Sequence, residues 1–310
     1  MYTRPPTIDD EQVVAFVAKW GVEATRVAYR PVGFGSHHWN VEAGTARWFL
    51  TVDDLQVKEG ADHLRAALNT AYWLHHHGRP FAIAPIPCET GELVVGFDDR
   101  YVGALYGYVD GETFDHGDYE SGDDQREVLR LLSSLHAAPV DIGARREDFV
   151  LSDRVQLTDD LPWGSGPYAP RARAVLDSRR EHVDSELVRY DTLAALAVAH
   201  PEEFVVTHGE PHRANTIRTA KGLVLIDWDT ALVAPRERDL WMVVDAHDPL
   251  LADYQAATGA TVHPSFFALY ALQWDLMEVA GYLAFFRADH DDTADAAESW
   301  KNYLHFIGAD

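Results

Sequence analysis

Between Val205 and Asp229 the chain reads VVTHGEPHRANTIRTAKGLVLIDWD, and this stretch constrains the fold more than any other. FVVTHGE is a β-branched, apolar run that ends in His208, Gly209 and Glu210. PHRA leads to Asn215, and TIRTAKGLVLI has two short apolar arms around a TAKG turn, the pattern of a β-hairpin. A hairpin here returns Asp227 towards Asn215. An amide oxygen and a carboxylate can then share one hard divalent cation, while Glu210 stays on the near side as a separate carboxylate. Phosphoryl transfer needs this layout: a cation to neutralise phosphate charge, and a carboxylate to orient an incoming hydroxyl and take its proton.

The rest of the chain supplies the frame. DDEQVVAFVAKWG opens with acidic residues, spaces its apolar positions as a helix does and closes at Gly21. Two β-rich runs follow around EAGTA, with Gly33 and Gly35 inside the first. GADHLRAALNTAYWLHHHG reads as a helix with Leu64, Leu68, Ala71 and Leu74 on one stripe. ELVVGFDDRYVGALYGYVDG gives two more strands around DDR. The first hundred or so residues are therefore a small sheet with a long helix. From DDQREVLRLLSSLHAAP onward the pattern is mainly helical, with a turn-rich loop or insertion at DRVQLTDDLPWGSGPYAP. RARAVLDSRREHVDSELVRYDTLAALAVAHP gives one or two helices, and PSFFALYALQWDLMEVAGYLAFFRADH a long aromatic one. The change of character falls at Leu105 to Gly111, dividing residues 1–106 from 107–310.

Composition narrows the function classes. With 310 residues and 47% hydrophobic content the chain can bury a sizeable core, and its length suggests two domains or lobes. Fifty acidic against 26 basic residues give a formal charge of −24, which repels phosphate backbones and argues against nucleic-acid binding. The same charge would attract a cationic small molecule or a metal ion, or serve solubility alone. The single cysteine, Cys88, excludes an internal disulfide. No apolar run has the length of a membrane span and the N-terminus lacks a signal peptide's apolar core, so a soluble, cytoplasmic location is expected. Oligomeric state is not legible.

HGEPHRAN…LIDWD resembles the catalytic and metal-binding loops of the aminoglycoside phosphotransferase family, small-molecule kinases with a protein-kinase-like fold. The family pattern, His-Gly-Asp, four residues, Asn, then Asp after a hairpin, agrees in spacing at every step. GFGS stands where the family has its nucleotide loop, ALYGYVDGETF resembles the hinge, and RERDLW resembles the acidic anchor after the metal site. The resemblance implies an α+β, two-lobed kinase-like fold with a small β-rich N-lobe that binds nucleotide and a larger, mainly helical C-lobe that carries catalysis and substrate. It implies ATP or GTP as co-substrate, Mg2+ on Asn215 and Asp227, Glu210 as the catalytic carboxylate, and His208 ordering the loop. Asp239 would brace that loop from behind, and Asp229 would assist at the metal or face substrate. Gly33, Gly35, Ser36, His37 and Thr51 would surround the phosphates, with the base at Tyr106 and Tyr108. The acceptor would be a hydroxyl on an aminoglycoside or aminocyclitol first, a sugar or amino alcohol second.

Two positions depart from the pattern. Glu210 replaces the usual aspartate with an arm one methylene longer, and misplacement by about 1 Å can cost on the order of 100-fold in rate. Thr51 stands in the register of the lysine that serves the α- and β-phosphates. Arg47 lies on the same strand face, but four residues span roughly 13 Å. Lys58, Arg65, His37 and His38 are candidate substitutes, with His37 or Lys58 expected near the phosphates; the helix after the strand offers Glu59 or Asp62 where the family has a partner glutamate, but without the lysine that ion pair is not defined. These departures also support a second reading, a kinase-like protein that binds a ligand or partner with little or no turnover.

Other features have plainer readings. His212 reads as a surface loop histidine rather than a ligand. His75, His76 and His77 are consecutive on a helix and point in different directions, so LHHHG reads as a solvated helix end. The aromatic stripe from Phe266 to Phe286 reads as core, and DHDD, Asp289 to Asp292, as a solvated run. Asp275 and Glu278 share a helix face, and either meet a cationic substrate or face solvent.

Overall fold

The computed structural model describes residues 3–33, 35–55 and 60–309, and the chain divides into two compact units, Met1–Glu147 with Phe204–Thr261 and Asp148–Glu203 with Val262–Asp310. Lys58 and Glu59 lie outside the described residues. Among those described, no helix is long and apolar enough to cross a membrane.

The first unit opens with helix α1, Asp10–Val17, started by a reciprocal capping box between Asp9 and Gln12. Strands β1 (Arg26–Arg30), β2 (Ser36–Ala43) and β3 (Ala46–Asp54) form an antiparallel meander. Helix α2 covers Ala61–His76, and β4 (Val95–Gly96) and β5 (Tyr101–Gly107) complete a sheet of order β1-β2-β3-β5-β4. Period-two alternation sorts the side chains by face. Trp39, Val41, Leu50, Val52, Tyr101 and Leu105 pack with Val13, Phe16 and Val17 of α1 into one buried cluster. Residues paired across strands share a face, so Ser36 with Asp53, His38 with Thr51, and Phe49 with Tyr106 stand on the opposite side.

Strand β6, Glu112–Thr113, and helix α3, Gly122–His136, follow. Helices α4 (Arg154–Thr158) and α5 (Ala169–Val198) belong to the second unit, and α5 is a single helix of 30 residues. The chain then returns to the first unit as β7 (Phe204–Thr207), the hairpin β8 (Thr216–Thr219) and β9 (Gly222–Leu225), and β10 (Leu232–Pro235). Here β7 pairs with β10, while β6, β8 and β9 make a three-stranded sheet. The expected hairpin is therefore present, with Thr219 opposite Gly222. Helices α6 (Glu237–Leu240) and α7 (Leu250–Thr258) close this unit.

In the second unit, α8 (Pro264–Arg287) packs on α5, and α9 (Ala294–Phe306) packs on α8. Phe266 and Phe286 are core, as their spacing suggests. The DHDD run is more than a solvated tract. Asp289 accepts from the Ser165 amide and hydroxyl at 2.7 and 2.9 Å, and Asp292 accepts from the Tyr168 hydroxyl at 3.2 Å. These carboxylates pin the turn-rich segment before α5, a tie between distant positions that a charge run does not announce. Asp275 is exposed and Glu278 half-buried on α8; burial raises the Glu278 carboxyl above its ordinary range, and a hydrogen bond from Tyr282 opposes the shift.

Candidate active site

The apolar strand β7 ends at His208, which is wholly buried. Asp239 of α6 lies behind it, also wholly buried. Its carboxylate accepts the main-chain N–H groups of His208 at 2.9 Å and Gly209 at 2.6 Å, and the His136 Nε2–H at 3.0 Å. Burial alone would raise this carboxyl; the bond from His136 and the charges and amide around it outweigh that and hold it below the usual range. His136 in turn meets the Tyr254 hydroxyl at 2.6 Å through Nδ1. The bracing role that the resemblance assigns to Asp239 thus has a geometry: one carboxylate satisfies two successive amides that no strand or helix could serve.

His208 ties the loop together from within. Its Nε2 donates to the Ile226 carbonyl at 2.8 Å, and its Nδ1 accepts the Glu210 N–H at 3.2 Å. That pair of roles fits a neutral imidazole with the proton on Nε2. Burial lowers its proton affinity, against the pull of Asp239. Gly209 has φ +104°, and a Cβ there would fall within 2.6 Å of Thr230 Oγ1 and against the Arg238 guanidinium. Arg238 donates to Thr207 Oγ1 at 3.0 Å and to the Thr230 carbonyl at 2.9 Å. Only glycine fits between this arginine and the loop.

Asn215 sits five residues beyond Glu210 and is buried. Its Nδ2 donates to the Glu210 carbonyl at 3.0 Å and lies 3.3 Å from His212 Nε2. With the amide nitrogen engaged in this way, the amide oxygen is the atom left for a cation. The Asn215 carbonyl accepts from Ile226 N–H at 3.0 Å, which sets Asp227 beside it in the returning chain. Asp227 has φ +63°, a backbone conformation more accessible to Asp than to branched residues. Trp228, bonded through Nε1 to the Leu225 carbonyl at 3.0 Å, packs on the His208 ring at 4.4 Å.

The charges of Asp227 and Asp229 act on the half-buried Tyr106 of β5. Burial raises the Tyr106 phenol well above its ordinary value, and Asp53, Asp227 and Asp229 raise it further. Asp53 itself accepts from Ser36 Oγ at 2.5 Å. A hydrogen bond at Asp53 thus ties in the glycine-containing segment, and charge links Asp53, the hinge strand at Tyr106 and the DWD loop. Tyr108 is exposed under the Arg47 guanidinium, 4.3 Å from its ring, and Arg47 reaches Asp110 at 2.6 and 2.7 Å.

The two imidazoles of β2 separate. His37 is buried on the α1 face, with Nδ1 3.2 Å from the Tyr29 hydroxyl and its ring near Trp39 and Tyr101. Strand alternation puts it on the side away from Thr51, so it does not join the expected phosphate group. His38 does share that face, with Nδ1 3.3 Å from Thr51 Oγ1. Arg65 pairs with its helix neighbour Asp62 at 3.0 Å, an exposed contact.

Several supporting residues carry little sequence signal. His212 is not a simple surface histidine: Nε2 lies 3.9 Å from Glu210 Oε2, and burial, then His116 and His208, pull its pKa down to about 4. The segment after β6 props the loop, through Tyr119 hydroxyl to the Pro211 carbonyl at 2.7 Å and Arg213 to Glu120 at 2.7 Å. His136 ends α3 and carries no motif of its own. His75, His76 and His77 bond separate carbonyls, those of Ala82, Tyr72 and Trp73.

Among the described residues, no three His, Cys, Asp or Glu side chains form a ready-made metal cluster. An amide oxygen and one carboxylate suit Mg2+, which keeps several waters and takes phosphate oxygens rather than sitting in an all-protein cage.

The chain resembles known proteins along most of its length. The chain is 28% identical to Protein StrN of Streptomyces griseus over 291 residues, 88% of this chain and 84% of that protein. The spectinomycin phosphotransferase APH(9)-Ia, solved with ADP and spectinomycin, matches with a TM-score of 0.75 at 15% identity, covering 98% of each chain. The choline kinase LicA from Streptococcus pneumoniae matches with a TM-score of 0.60 at 10% identity, covering 97% of this chain and 99% of that one. These similarities establish the two-lobed, protein-kinase-like fold, with its β-sheet N-lobe and helical C-lobe. The model of the phosphotransferase enzyme family matches residues 28–277, and the chain therefore belongs to that family of small-molecule kinases.

Proposed function

We propose that the protein transfers the γ-phosphoryl group of ATP or GTP to a hydroxyl of a small, polar, amine-bearing molecule, an aminoglycoside or aminocyclitol first and a sugar or amino alcohol second. The observation that carries this is the loop from His208 to Asn215, held at both ends by Asp239 and Ile226, with Glu210 between them.

In this reading Glu210 accepts the acceptor's hydroxyl proton as its oxygen bonds to the γ-phosphorus and the bond to the departing nucleoside diphosphate breaks. In a loose transition state the proton leaves late, so orientation matters more than basicity, and the loop's internal bonds supply that orientation. Asn215 through its amide oxygen and Asp227 through its carboxylate would hold Mg2+, which supplies charge neutralisation to the phosphates. Gly33, Gly35, Ser36 and Thr51 line the phosphate side, and Tyr106 and Tyr108 the base. Residues 1–106 form the nucleotide-binding part, and residues 107–310 carry catalysis and acceptor binding. Asp229 would meet an ammonium group of the acceptor, in keeping with the chain's −24 charge. Structural neighbours are named for spectinomycin, hygromycin B and choline, hydroxylated molecules that each carry a cationic nitrogen.

Nucleotide consumption by purified protein, with Mg2+ and a panel of aminocyclitols, aminoglycosides, sugars and amino alcohols, tests the reading. Acceptor-dependent release of ADP or GDP is expected. Magnesium-dependent nucleotide binding without turnover on any acceptor would favour a binding protein, the alternative that Thr51 and Glu210 support.

A further inference from the structure

We propose that His38, seated on Thr51, is the group that receives the nucleotide phosphates where a strand lysine would otherwise stand. The inference rests on the nucleotide-dependent reading given above. His38 and Thr51 are register partners on β2 and β3 and share the sheet face that also carries Ser36, Asp53 and Tyr106. The Thr51 hydroxyl meets Nδ1 at 3.3 Å, so the ring's other nitrogen lies on the side away from Thr51. That direction is the glycine-containing loop: a Cβ added at Gly33 would lie 3.6 Å from His38 Nε2. Phe49, stacked on the imidazole at 5.1 Å and 26° between planes, fixes the ring's plane.

A hydroxyl can both donate and accept. When Thr51 donates to Nδ1, the neutral ring keeps its proton on Nε2. When the ring is protonated, Thr51 accepts from Nδ1–H and Nε2 still donates. With Thr51 as donor to the neutral ring and as acceptor from the charged one, an N–H stays aimed at the loop in both charge states. Hydroxyl and imidazole in series extend along this face as a lysine stem would. The other described candidates are turned elsewhere: His37 faces α1, Arg47 is clamped on Asp110 and Arg65 on Asp62.

The test separates phosphate recognition from general damage. Adenosine, ADP and ATP, or the guanosine series if the wild type prefers it, are titrated with Mg2+ into wild type, His38→Ala, Thr51→Val and His38→Ala/Thr51→Lys. His38→Ala should weaken ADP and ATP by about 10- to 100-fold, the loss of a hydrogen bond to a charged group, and leave adenosine unchanged. Thr51→Val should weaken them less, and Thr51→Lys should restore affinity in the His38→Ala background. Unchanged ADP and ATP affinity in His38→Ala would overturn the inference while leaving the kinase reading intact. Equal weakening of adenosine and ADP would also overturn it, because the histidine would then be structural. A wild type that binds neither ADP nor ATP would instead overturn the nucleotide-dependent reading itself.

Discussion

Replacing Asp239 with asparagine should unfold the catalytic loop's support without removing any atom that touches substrate. The carboxylate accepts two main-chain N–H groups, at 2.9 and 2.6 Å, and a histidine N–H at 3.0 Å, all at a wholly buried position. In Asp239→Asn one oxygen becomes an NH2 that must face one of those donors. A hydrogen bond to a charged group contributes about 1.5–3 kcal/mol, and a buried donor left unpaired costs about 1–3 kcal/mol. Losing the charge and orphaning one N–H therefore costs about 3–5 kcal/mol, in line with breaking a buried ionic contact. That is a large part of a stability of about 5–15 kcal/mol. Urea unfolding followed by tryptophan fluorescence reads it directly as a lower midpoint. Acid titration gives a second signature. The folded carboxyl titrates below its unfolded value, so the unfolded chain binds more protons in that range. Its contribution is complete above the ordinary carboxylate pKa of about 3.9 and fades as pH falls through the folded value. Asp239→Asn should lack that component. A stability within about 1 kcal/mol of wild type, with unchanged acid sensitivity, would refute the argument that Asp239 holds the loop, since even the low end of the combined cost, about 3 kcal/mol, exceeds that.

Three further outcomes follow from the same geometry. Asp227→Ala, and Asp227→Asn as the variant that keeps the shape, should abolish magnesium-dependent nucleotide binding in calorimetry while the protein stays folded; unchanged affinity would remove Asp227 from the metal site. Gly209→Ala forces a side chain against Arg238 and Thr230 at φ +104° and should cost about 2–4 kcal/mol in thermal or urea unfolding. His212, with a folded pKa near 4 against an ordinary 6.5, binds fewer protons folded than unfolded. Stability should therefore fall as pH drops from about 6.5 to 4, and His212→Gln should flatten that part of the profile, as read by urea midpoints across the range.

Much of this arrangement is legible in the chain itself, for definite reasons. The β7 run, the TAKG turn and the spacing of Glu210, Asn215 and Asp227 are local signals, and the hairpin they specify brings the residues together without help from distant elements. The sheet of the first hundred residues and the long helix α8 were likewise readable from period. What was not legible depends on contacts across the sequence or on strand phase. His136 reaches Asp239 across 103 positions, and Tyr119 reaches Pro211 across 92; neither has a motif. His37 and His38 are neighbours in the chain, and only the register with Thr51 shows that His38 is on its face. His212 looked like a loop residue because burial by His116 and the segment after β6 is tertiary.

The central claim is that Glu210 is the base of a phosphoryl-transfer site. Its most direct test is steady-state turnover of wild type and Glu210→Gln with an acceptor found by the panel, alongside nucleotide affinity by calorimetry. Glutamine keeps size and hydrogen bonding but removes the charge. Turnover should fall by about 100-fold or more, within the range of general-base loss, with nucleotide affinity nearly unchanged. Equal turnover in the two proteins would show that Glu210 is not the base and would contradict the account.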